Sequence, residues 1–93
     1  MTQQPYRLYV QRIDRSRNMA RYYSLAILPT LFGKISLVRC WGRIGAAGQE
    51  KVHFFEREKD AVQTFLQIAR QKRARGYRPV ALHADRAAPT WGG

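Results

Sequence analysis

The 93-residue chain has little sulfur and little negative charge: one cysteine, Cys40, and six acidic residues, alongside two histidines. A lone thiol closes no internal disulfide and cannot supply a zinc site built from several thiolates, a pattern that suits a reducing compartment. No apolar run approaches the length of a membrane span, and Met1 to Arg12 lacks the apolar centre of a signal peptide. A soluble, cytoplasmic protein without a membrane partner is the expectation. The length fits one small domain and leaves little room for a second one or for a large enclosed active site.

Against those six acids stand thirteen Arg and four Lys, giving a formal net charge of +11. Hydrophobic residues make up 45% of the chain and aromatics 12%, enough for a real core and too much for a disordered tail. The excess charge therefore lies on a folded surface. Its arginine bias favours phosphate polyanions, because the planar guanidinium makes paired contacts that a lysine point charge does not.

Period-two alternation marks the first half of the chain as strands. Tyr6–Ile13 is aromatic and β-branched, and the polar stretch Asp14–Asn18 reads as a turn. Met19–Leu28 places Met19, Tyr23, Leu25 and Ile27 on one side of a second strand. Pro29–Gly33 is a short connection whose Leu31 and Phe32 are expected to tuck under the sheet. Lys34–Arg43 alternates again, with Ile35, Leu37, Arg39, Trp41 and Arg43 on one face and Cys40 and Gly42 on the other. A glycine turn, Gly45–Gly48, leads to a fourth strand, Gln49–Glu56. The period then changes. From Lys59 to Arg75 the apolar residues Ala61, Val62, Phe65, Leu66, Ile68 and Ala69 recur at helical spacing, and Gly76 is placed as a stop. Acidic Glu56, Glu58 and Asp60 near the helix start and basic residues near its end suit the macrodipole. Tyr77–His83 adds a short extended segment, with Pro79 favouring an edge. The expected class is α+β: a small antiparallel meander of four to five strands with one amphipathic helix packed on one face. One domain is expected over residues 1–85, with a loose tail over 86–93.

The most informative stretch is Arg39-Cys40-Trp41-Gly42-Arg43-Ile44-Gly45, followed by Gly48-Gln49. An indole between two same-face arginines can pack on a sugar or base while the charges hold phosphates, whereas the bland alternative keeps Trp41 in the core with the arginines snorkelling past it. This stretch resembles the signature of the WGR domain, named for the tripeptide seen here as Trp41-Gly42-Arg43. The similarity extends through Tyr23-Ser24-Leu25, the loop Pro29–Gly33 and the helix positions Ala61, Phe65, Lys72 and Tyr77, covering residues 6 to 80. In poly(ADP-ribose) polymerases such domains bind DNA and help recognise strand breaks. The resemblance implies that Trp41 packs on a terminal sugar, that Lys72 lies at the DNA, and that Arg43 joins the site to neighbouring domains. These 93 residues carry no transferase domain, zinc finger or helical regulatory domain, and so look like a stand-alone bacterial WGR protein. That departure puts a relay through Arg43 in doubt.

The candidate nucleic-acid contacts are Trp41, Gly42, Arg43 and Arg39 on the strand, with Lys72, Arg70, Arg73 and Arg75 on the helix. Arg12, Arg15, Arg17 and Arg21 form either a second patch or plain solubilising charge. The spacing of Gly42, Gly45 and Gly48 is not a phosphate loop, since the Lys-Ser/Thr ending and a following helix are absent. Cys40 is expected to be a small buried hydrophobe, and His53 and His83 make no ligand or nucleophile pattern with it. No enzyme, metal or cofactor is expected. DNA is the expected partner by resemblance, with RNA open. The competing function is a protein-interaction module that docks onto an acidic or DNA-processing partner.

Overall fold

A computed structural model describes residues 6–80. Strand β1 (Arg7–Asp14) leads through a single 3-10 turn, Arg15–Arg17, into β2 (Met19–Pro29). Asp14 caps that turn by accepting from the Ser16 amide, and Asn18 leaves it in the left-handed conformation, φ 53°. Asparagine tolerates that region better than most residues. Strands β3 (Ile35–Arg43) and β4 (Gln49–Phe55) continue the meander, then come helix α1 (Glu58–Ala74) and a two-residue strand β5 (Arg78–Pro79). The antiparallel sheet has the order β4-β3-β2-β1-β5. The α+β class, the meander and the helix thus stand as expected, and Pro79 lies at the sheet edge. His83 and the 86–93 tail fall outside the described residues, as does the end of the 1–85 domain range.

Alternation divides the sheet into two unlike faces. On one, Val10, Tyr23, Leu25, Ile27 and Leu37 are buried with Ala61 and Phe65 of α1 and with Tyr77. Burying such side chains is worth about 1.5–3 kcal/mol each, which fixes the strand register because a one-residue slip would expose them all. Among the described residues no helix is long and apolar enough to cross a membrane.

The helix ends in a Schellman motif that sets the geometry beyond it. Gly76, at φ 100°, donates its amide to Arg73, and the Tyr77 amide reaches back to the Lys72 carbonyl at 3.1 Å. A left-handed residue is required there, and glycine adopts it without a Cβ penalty. The turn drives Tyr77 back into the core, so the last helical turn closes over one end of the sheet. At the other end, Leu31 and Phe32 do not tuck under the sheet. They are 95% and 89% exposed at the tip of the β2–β3 hairpin. The space under the sheet there is already filled by Ile27, Ile35 and Phe65.

Candidate nucleic-acid interface

Each inward-facing stripe turns from aliphatic to cationic along its length. In β1, Leu8 and Val10 are followed by Arg12. In β2, Arg21 precedes Tyr23, Leu25 and Ile27, and in β3, Ile35 and Leu37 give way to Arg39, Trp41 and Arg43. Because β2 runs opposite to its neighbours, the three cationic ends meet. Arg12 lies directly across from Arg21, and Arg21 directly across from Arg43. The next row sets Tyr23 opposite Trp41, and the row after that sets Arg39 opposite Lys51. The helix does the same, since its inward stripe of Ala61, Phe65 and Ile68 runs on to Lys72 and Arg75.

These ends enclose an open groove of about 640 Å³. Its walls carry Arg12, Arg21, Arg39, Arg43, Lys72 and Arg75 and no acidic residue, and Tyr23, Trp41 and Tyr77 supply its aromatic surface. Like charges directly opposite on a sheet are destabilising, so a row of three arginines with no carboxylate among them concentrates positive charge that an external anion would offset.

Tyr23 is the hub. It is buried and stacks against half-buried Trp41, with centroids 5.9 Å apart and planes at 15°, and it meets Tyr77 edge-on at 6.3 Å. Its hydroxyl accepts a hydrogen bond from Arg39 Nε at 2.7 Å. Arg39 Nη1 donates to His53 Nε2 at 3.2 Å. A guanidinium can only donate, so His53 Nε2 is unprotonated and its proton sits on Nδ1. The held Arg39 guanidinium lies 5.5 Å from the Trp41 ring, and among the described residues it makes no side-chain hydrogen bond beyond these two. Desolvation, then the charges of Arg39 and Lys51, lowers the His53 pKa and keeps the ring neutral. Lys72 Nζ sits 4.4 Å from the Tyr23 centroid. Burial, followed by Arg75 and Arg39, pushes its pKa below the ordinary lysine value, and an anion in the groove would push it back up.

Two glycines shape the rim beside Trp41. A Cβ on Gly42 would lie 2.9 Å from the Gly48 Cα, and one on Gly48 would collide with the Trp41 carbonyl and the Tyr22 hydroxyl. The glycine turn can therefore fold tightly against the end of β3. Exposed Arg43 is steadied by donating to the Asn18 carbonyl at 3.3 Å.

The groove brings together Trp41, Gly42, Arg43, Arg39, Lys72 and Arg75 of the expected residues. Arg70 and Arg73 lie on α1 outside its lining. Helical spacing separates them: Lys72 and Arg75 continue the apolar stripe, whereas Arg70 and Arg73 do not. Arg12 and Arg21, ambiguous in the sequence, line the groove, and the clue was their shared parity with Val10 and Tyr23. Arg15 and Arg17 stay in the exposed turn, where Arg17 pairs with Asp14 at 3.7 Å. Cys40 is half-buried rather than buried, because it sits on the sheet face that the helix does not cover.

With this geometry in place, comparison with known proteins gives a consistent answer. The WGR domain model matches residues 6–83. The chain belongs to the WGR domain family. This WGR domain is also 65% identical over 79 residues to an uncharacterized protein, y4dW, of Sinorhizobium fredii (strain NBRC 101917 / NGR234). The match covers 85% of the chain but 39% of that relative's length. In poly(ADP-ribose) polymerases and related proteins, WGR is a nucleic-acid-binding domain.

Proposed function

We propose that this WGR domain is a non-enzymatic DNA-binding module that takes phosphates and a sugar, at strand ends, into the groove between the sheet and the end of α1. The observation that carries this reading is the cross-strand row Arg12, Arg21 and Arg43 beside an aromatic floor, with no acid in the lining. Trp41 offers its indole to the sugar or base, Arg39 is pre-positioned beside it by Tyr23 and His53, and Lys72 and Arg75 hold phosphates from the helix side. Arg43 contacts either the nucleic acid or an adjoining domain. Arg70 and Arg73 add long-range attraction only. A nucleoid-associated location follows from this role.

The test compares a blunt duplex, a 5′-phosphorylated end, a closed circle and heparin at one salt concentration. Preference for ends over the circle and heparin supports the proposal, and equal binding to all four overturns it in favour of nonspecific charge. Trp41→Ala is expected to cost about 1–3 kcal/mol of binding if the indole stacks on the ligand. Wild-type affinity in a variant with unchanged circular dichroism and melting removes Trp41 from the site.

A further inference from the structure

The sheet face turned away from α1 is the second unusual surface. Across β1–β4 its rows run Leu28, Ser36, Phe54, then Arg7, Ala26, Val38, Val52, then Tyr9, Ser24, Cys40, Glu50. Gln11 and Tyr22 follow, and Ile13 and Ala20 close it. No described element covers this face. Phe54 is 63% exposed, Ile13 59%, Tyr9 46% and Val52 40%, while the centre is made of small residues. Solvated antiparallel faces normally alternate to polar residues, and this one does not.

Its charge pattern is as distinctive as its apolarity. In a chain of net charge +11, β1–β4 present one cation and one anion here, Arg7 and Glu50, and Arg78 of β5, in the Gln11 row, directs its guanidinium to the Arg73 and Tyr77 carbonyls. Arg7 and Glu50 are exposed, and neither makes an ion pair among the described residues. Arg7 lies at the β1 edge and Glu50 at the β4 edge, one row apart. A two-fold axis along the strands, between β2 and β3, lays β1 of one copy over β4 of its partner. Each Arg7 is then offset from the partner's Glu50 by about 7 Å along the strands and about 10 Å across the gap between the sheets, a backbone separation of about 12 Å that the extended arginine and glutamate side chains span together. The same operation places the cationic grooves on the two outer faces, away from each other.

The available area suits such a pairing. With strands spaced about 4.8 Å apart, β2 over β3 overlaps along about eight residues and β1 over β4 along about four, a footprint of about 400 Å². Two such faces total about 800 Å², the size of a weak, concentration-dependent association. We infer that the open sheet face is a homodimer interface, closed by two reciprocal Arg7–Glu50 pairs around an apolar centre, so that the dimer presents two outward-facing grooves. This interface is independent of what the grooves bind.

Sedimentation equilibrium of the full chain without nucleic acid, up to about 500 µM, tests it. The expected result is a concentration-dependent dimer that Phe54→Glu converts to monomer. Arg7→Glu is expected to weaken association by about tenfold, and Arg7→Glu combined with Glu50→Arg to restore it. Circular dichroism establishes that each variant is folded. A wild-type monomer throughout that range overturns the inference and assigns the face to a different partner. A charge exchange that associates no better than Arg7→Glu alone overturns the proposed pairing. DNA binding by a folded Phe54→Glu monomer, measured separately, keeps the groove reading distinct from this one.

Discussion

Arg21 gives the sharpest test of the groove, because it stands between Arg12 and Arg43 in the cross-strand row and is exposed. Replacing it with threonine removes two like-charge neighbours and keeps a residue that favours strands. Each such pair costs about 0.2–1 kcal/mol, and solvent screening places these near the lower end. The free domain should therefore gain about 0.5 kcal/mol at low salt, a rise in melting temperature of about 2–4 °C for a domain of this size. At about 1 M salt, where the Debye length is about 3 Å, the gain should vanish. Binding should move the opposite way. Six engaged cations give a slope of about −5.4 in log affinity against log salt, and five give about −4.5. Between 50 and 200 mM salt the wild type should lose affinity by about 2,000-fold and the variant by about 500-fold. Thermal melts across salt concentrations measure the first effect, and fluorescence anisotropy with labelled duplex measures the second. A variant that is less stable at low salt, or whose salt slope equals that of the wild type, refutes the argument that this row exists for an anion.

Gly48→Ala should destabilise the domain by about 1–3 kcal/mol in urea unfolding, because the new methyl meets the Trp41 carbonyl, a backbone atom with little room to yield. His53 predicts a pH dependence: its folded pKa lies below the ordinary 6.5, so the unfolded chain binds the proton first. Stability should be full above about pH 6.5 and fall as the pH drops through the folded value, and in His53→Gln this component should be absent from denaturation curves. Leu31→Ser and Phe32→Ser should each change stability by less than about 0.5 kcal/mol, since the two side chains are almost fully exposed, and a larger loss would place them back under the sheet.

Alternation and helical spacing in the sequence were sufficient to determine the meander and the single helix, with Gly76 as its stop, whereas the stretch around Trp41 was legible through its resemblance to the WGR signature. They also carried, less visibly, the switch from aliphatic to cationic residues within each inward stripe. Such local periodicities say which residues share a face, but not which rows stand beside one another. Register and the reversal of β2 decided that Arg12, Arg21 and Arg43 meet in one row, and the Schellman turn decided that Lys72 and Tyr77 close over them. The same limit explains Leu31 and Phe32, whose apolarity alone suggested burial until the filled space beneath the hairpin left them outside. One helix can cover only one side of a sheet, so the tertiary structure alone revealed that the face bearing Cys40, Val52 and Phe54 has no cover within the described chain.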